Sequence, residues 1–345
     1  MEEILQHIQE ILGVPAFLIN HCDFLPQYIK EALISSINFI PWLYILYYGI
    51  ELLERFFLTH INFLIRLIQK LGALFGVVIS TLPECGYQVI ASTFYSRRMM
   101  SRGTLLAFYI ACSDDALPLL FMDLSKAFVI IPIIVIKIAV GIFVAYFVDI
   151  VSVIFRRKKQ IMEDINAINT DLNEPACCHH RIQTIENPPY WWLHPLTHTF
   201  NMFMFTFLCL AFFNCAILHF GSVENLSNFL LGNTPYQLIA TAFIGLISNC
   251  VTSVFLALAY VKGIIGFPAL LSGLISTTGL GLITLAKRQQ KSKDNLLIAT
   301  ILVVTAIATG FAVYYNMQLI DVLKDFFIRS VSYTHLRAHE TTLHL

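Results

Sequence analysis

Charge is what this sequence has least of. Asp, Glu, Lys and Arg together make up 13% of its 345 residues, against roughly 25% in ordinary soluble domains. The 22 acidic and 22 basic side chains cancel to a net charge of +0, so no basic surface for nucleic acid is expected. Hydrophobic residues reach 57% and the mean hydropathy is +0.72. A soluble globular enzyme, a disordered chain and a fibrous protein are excluded together. Catalytic signatures are missing as well: the chain contains no GxxxxGK[ST] phosphate loop, no His-Glu-x-x-His and no Gly-x-Ser-x-Gly. No enzymatic activity and no resident cofactor is expected. Met1 to Leu12 carries Glu2, Glu3 and Glu10 and does not read as a cleavable signal peptide. Eight cysteines are present, but Cys85, Cys112, Cys209, Cys215 and Cys250 lie in apolar stretches, unlike a disulfide framework.

What the chain does have is apolar blocks. About 20 apolar residues cross a bilayer as a helix. Leu33–Leu53 (interrupted by Pro41), Gly103–Met122, Lys126–Ile154, Thr197–Phe220, Gly263–Ala286 and Asn295–Tyr315 read as spans. Arg55 to Lys70 reads as an interfacial helix. Two pairs of shorter pieces, 71–82 with 85–95 and 236–247 with 250–260, are too short to cross. The expected class is an all-α polytopic membrane protein. Residues 1–154 form one membrane repeat, 155–196 a cytoplasmic loop and 197–316 a second repeat. Residues 331–345 include VSYTHLRAHET, which resembles a translated sequencing adapter, so His335, His339 and His344 carry no weight as ligands.

The halves resemble each other. Residues 85–120 laid on 250–285 share eight identities, among them Cys85/Cys250, Tyr95/Tyr260 and Leu106/Leu271, against roughly three or four by chance in apolar sequence. Each half also runs span, short pair with a polar break before Cys, span, span. Each short pair reads as a re-entrant or broken helical hairpin, tolerated at that depth only within protein or beside a water-filled cavity. The loops 55–70, 96–102, 155–159 and 287–293 hold clustered Lys and Arg, while 122–126, 221–234 and 261–262 hold two lysines between them. The positive-inside rule therefore puts the first set in the cytoplasm. The hairpins then enter from opposite sides, and the repeats are inverted.

Secondary transporters place their substrate between such repeats, near the midplane. Glu84, Cys85, Asn249 and Cys250 sit at the two breaks, and Asp114 and Asp115 lie mid-span at similar depth. An ionisable group there costs at least ~2.5–3.5 kcal/mol on insertion scales and is a functional hypothesis by default. Lys137, in the following span, is the available charge partner. Carboxylates suit Mn²⁺ and similar hard divalent ions, and thiolates suit softer metals or trivalent arsenic. Cys177, Cys178, His179 and His180 form a capture or sensing cluster in the central loop, with His194 and His198 near the next helix.

PECGYQVIASTFYSRRMMSRGTLLA at 83–107, CSDDALP at 112–118, KIAVGIFVAYFVDI at 137–150 and LISNCVTSVFLALAYVKGIIGFPALLSGL at 246–274 resemble a family of ten-transmembrane heavy-metal exporters. Its members are labelled arsenic efflux proteins or manganese transporters. The resemblance covers about 28–316, and counting each hairpin half as a span gives the family's ten. It implies efflux, with a metal ion or metalloid as cargo, in the plasma (inner) membrane. The family's acid pair is Asp-Glu, where this chain has Asp114-Asp115. An arsenite or organoarsenical permease and a membrane metal sensor are the alternatives. Replacing Cys177, Cys178, His179 and His180 together is expected to change the metal concentration needed for half-maximal export more than the maximal flux, as read by vesicle uptake.

Overall fold

The structure, a computed structural model, describes residues 25–59, 73–81, 86–112, 115–120, 128–155, 193–232, 234–247, 250–288 and 292–316. Among these every regular element is a helix. The first half holds α1 (Gln27–Thr59), α2 (Ala73–Ser80), α3 (Gly86–Ser96), α4 (Arg102–Ala111), α5 (Ala116–Leu120) and α6 (Ile130–Phe155). The second holds α7 (Leu193–Phe220), α8 (Val223–Phe229), α9 (Pro235–Gly245), α10 (Cys250–Val261), α11 (Phe267–Ser276), α12 (Gly281–Arg288) and α13 (Ser292–Tyr315).

Among the described residues, six segments are long and apolar enough to cross a membrane: Gln27–Gly49, Arg102–Leu120, Ile130–Ser152, Pro195–Phe220, Phe267–Lys287 and Lys293–Tyr315. They match the six expected spans within a few residues, with three corrections. Helix α1 continues through Pro41 and on to Thr59, so neither the interruption nor a separate start at Arg55 exists. The other two corrections are breaks. Arg102–Leu120 divides into α4 and α5 around Cys112–Asp115, and Phe267–Lys287 divides into α11 and α12 at Thr277–Leu280.

Local chemistry accounts for the breaks. Cys-Ser-Asp-Asp and Thr-Thr-Gly-Leu are poor helix interiors, because Ser, Thr and Asp compete for nearby backbone groups. Thr277 Oγ1 donates to the Leu274 carbonyl at 2.9 Å. Gly279 takes φ +44°, a conformation that favours glycine.

The two halves share a frame. The offset that carries Arg102 to Phe267 also carries Ala111 to Ser276, so α4 and α11 have matching bounds. Their C-caps match in backbone angle, Cys112 at φ −60°, ψ 132° and Thr277 at φ −66°, ψ 129°. The turns that lead into them match too. Met99 N–H donates to Phe94 and Ile264 N–H to Ala259, both at 2.9 Å, with positive φ at Arg98 and Gly263.

Packing between the halves follows a two-fold pattern. Helix α1 lies on α7, α4 on α11, α3 on α12 and α10 on α5. The first pair is antiparallel: Asn214 reaches the Tyr28 carbonyl near one end, and Tyr47 meets His198 near the other. At one end of the bundle Arg102 pairs with Asp294, which also accepts from Tyr95 Oη at 2.7 Å. At the other, Gln237 in the first turn of α9 bonds the Ile264 carbonyl and the Gly266 N–H, just past the end of α10. The start of α9 and the end of α10 thus lie together.

The broken segments are central. Every described residue from Gly103 to Leu120 is buried, as is 78% of the Phe267–Lys287 window, against 22% to 33% in the other four. The outer helices turn large apolar side chains outward, such as Phe143, Phe147 and Ile150 on α6 and Phe200, Met204, Leu208 and Phe212 on α7. An exposed apolar face of this extent suits contact with lipid. Glycines bring the inner helices close. A Cβ at Gly103 would stand 2.2 Å from the Ala145 carbonyl oxygen on α6, and one at Gly245 2.2 Å from the Gly273 carbonyl oxygen on α11. Gly103→Ala and Gly245→Ala are each expected to cost about 1–3 kcal/mol by overpacking. Gly49→Ala has open space and should cost nothing. Thermal unfolding in detergent reads the difference, and equal midpoints for all three variants would contradict the packing.

Candidate functional site

Both breaks lie inside the bundle, and the helix ends they create need partners. The last carbonyls of a helix have no intrahelical acceptor role to fill, and together they carry a partial negative charge of about −0.5. Lys137, fully buried on α6, donates its Nζ to the carbonyl of Cys112, the C-cap of α4. The same Nζ donates at 2.9 Å to the carbonyl of Leu274, in the last turn of α11. One ammonium therefore serves the C-terminal ends of both broken helices, one from each half.

Asp115 stands directly before Ala116, the first residue of α5, where a carboxylate is favoured by the free N–H groups that follow. It is 2% exposed. Tyr47 Oη from α1 donates to its Oδ1 at 3.0 Å. His198 Nε2 from α7 lies 3.6 Å from the same oxygen. The Tyr47 and His198 rings meet edge to face, with centroids 4.2 Å apart. This is a buried carboxylate with an imidazole and a phenol, built from three helices and both halves. Such a pair can pass a proton, because carboxylate and imidazole can each hold and release one.

On the other side of the centre the chemistry is neutral. Ser92 Oγ lies 2.7 Å from Tyr109 Oη and donates at 2.8 Å to the carbonyl of Gly281, the first residue of α12. One turn earlier on α3 is Gln88. It is fully buried, and neither atom of its amide has a hydrogen-bond partner. Its Cβ lies 3.1 Å from where a Cβ at Gly281 would stand, beside the start of α12. An orphaned buried amide costs free energy and calls for a reason.

Of the residues expected from sequence, Asp115 and Lys137 are buried at the centre. Cys250 is the first residue of α10. Glu84, Cys85, Asp114 and Asn249 lie outside the described residues, as do Cys177, Cys178, His179 and His180. Among the described residues no three His, Cys, Asp or Glu side chains gather as a metal site. Cys112 and Cys209 are buried and in no disulfide. The sequence reading missed Tyr47, Gln88, Ser92 and Tyr109, and it grouped His198 with the loop. Each is a polar group inside an apolar run, the signal that singled out Asp115. No family model, curated protein or solved structure matches this chain.

Gln88→Met keeps the length and removes both unpartnered atoms. It is expected to leave the thermal midpoint level or raise it, because replacing an unsatisfied polar group by an apolar one of similar shape relieves a desolvation cost. A clearly lower midpoint would show that the amide serves the fold.

Proposed function

We propose that this chain is a secondary-active exporter of a heavy-metal ion or metalloid, working by alternating access between two inverted repeats in the plasma (inner) membrane. A divalent metal such as manganese is the favoured cargo. The observation that carries the reading is the pair of broken helices at the buried centre, with Lys137 and Asp115 set against their ends. Half-helices that end at mid-depth are where transporters hold ions and substrates.

The inverted arrangement draws support from the antiparallel α1 and α7, because helices at equivalent places in the two halves then point opposite ways. Re-entrant hairpins draw support from length. Helices α2, α3, α9 and α10 have 8 to 12 residues, or about 12–18 Å, short of the ~30 Å hydrocarbon core. The return of α10 to the starting end of α9 has the same sense. The Arg102–Asp294 pair joins the ends of the 96–102 and 287–293 loops, both assigned to the cytoplasm.

Asp115 with His198 supplies the proton-handling group for exchange, and Asp114, Glu84, Cys85, Asn249 and Cys250 complete the proposed translocation site. Cys177, Cys178, His179 and His180 capture metal in the cytoplasmic loop. The arsenical permease is favoured by one observation. The Gln88 amide has an open donor and an open acceptor, which suits a neutral hydroxylated species better than a cation.

Flux into inside-out vesicles with Mn²⁺ and arsenite in parallel separates the two. Removing one member of a buried charged pair costs ~3–5 kcal/mol, so Asp115→Asn should weaken Mn²⁺ handling by two decades or more. Full Mn²⁺ flux in well-expressed Asp115→Asn would exclude the carboxylate site. Single cysteines at the exposed positions Arg98, Lys287 and Asn228 test the topology. Only position 228 should react with an impermeant reagent in intact cells, and equal labelling at 98 and 228 would exclude inverted repeats.

A further inference from the structure

The first half holds a charge at the centre that the second half lacks. The frame shared by α4 and α11 puts Leu302 at the place of Lys137, and both positions are fully buried. The carbonyl ends of the two broken helices nevertheless converge from both halves on one point. What occupies that point is a primary ammonium at the end of a flexible chain, held by the carbonyl oxygens of Cys112 and Leu274. Two helix C-termini contribute about −0.5 each, which is charge of the sign that favours a cation. Converging carbonyls at half-helix ends are also the chemistry that holds a small monovalent cation in membrane carriers.

We propose that the Cys112 and Leu274 carbonyls form a monovalent-cation site whose occupant is the protein's own Lys137 ammonium. A tethered cation fills the position that a free alkali ion would otherwise take. Two consequences follow. The native protein gains no stability from Na⁺, Li⁺ or K⁺ and needs none of them for flux. Shortening the side chain opens the site, and the same carbonyls then accept an alkali cation from solution. The inference draws on the transport reading for its role in coupling, but the site itself is a matter of the fold. Its main readout is therefore stability, which moves independently of whether Mn²⁺ is the cargo.

The experiment compares thermal unfolding of the full chain in chloride salts of choline, Na⁺, Li⁺ and K⁺ at matched ionic strength, for wild type, Lys137→Ala and Lys137→Met. Wild type should melt at one temperature in all four salts. Lys137→Ala should melt lower in choline and regain ~2–4 °C in one of the alkali salts, since a ligand that binds only the folded state raises its midpoint. Lys137→Met fills the space with an apolar chain and should melt lower without regaining anything. An alkali-specific rise in wild type, or a folded Lys137→Ala that responds to no cation, overturns the proposal. If Lys137→Ala cannot be purified, binding of radioactive Na⁺ to wild type decides: none is expected, and saturable binding displaced by Li⁺ but not by choline overturns it.

Discussion

Helix ends inside an apolar bundle are the constraint on which this structure turns. Each break exposes carbonyls inside the bundle, and each such group costs free energy unless it is met. Lys137 meets two sets at once, from α4 and from α11. An ammonium at this depth is itself costly, and two partial negative helix ends offset part of that cost. The pairing fixes α6, α4 and α11 relative to one another across the boundary between the halves. Packing follows from it: glycines let α4 approach α6 and α9 approach α11, and the outer helices wrap the broken pair.

The halves share backbone but differ in chemistry. Lys137 faces Leu302 across the repeat, Asp115 faces Leu280 and Gln88 faces Ser253. The frame therefore supplies two related environments, one holding a carboxylate, an imidazole and a phenol, the other an amide and hydroxyls. Within the proposed exchange cycle this asymmetry separates the proton-handling group from a neutral polar surface. A symmetric pair of sites would offer no such division.

Much of the fold was legible because hydropathy averages over long windows. The six spans were found within a few residues, and the repeat offset read from identities such as Cys85/Cys250 and Tyr95/Tyr260 also relates the helix bounds. The same averaging hid the two breaks, since four residues such as Thr277–Leu280 scarcely lower a 20-residue mean. Pro41 misled in the other direction. A proline lacks one donor, but helix α1 continues on both sides of it. The site was harder to read. Asp115 stood out as a charge in an apolar run, but its neighbours Tyr47 and His198 come from helices far away in sequence. No periodicity encodes such a meeting; only the two-fold packing of α1 on α7 creates it.

The central claim is that the broken helices lie at a position open to each side of the membrane in turn. Thr278, fully buried at the second break, reports on it. Thr278→Cys can be reacted with a small impermeant thiol reagent in right-side-out and inside-out vesicles, with modification of its own peptide quantified by mass spectrometry. Alternating access predicts reaction from both sides, with added Mn²⁺ changing the two rates in opposite directions. Reaction from one side alone, with and without Mn²⁺, would contradict it.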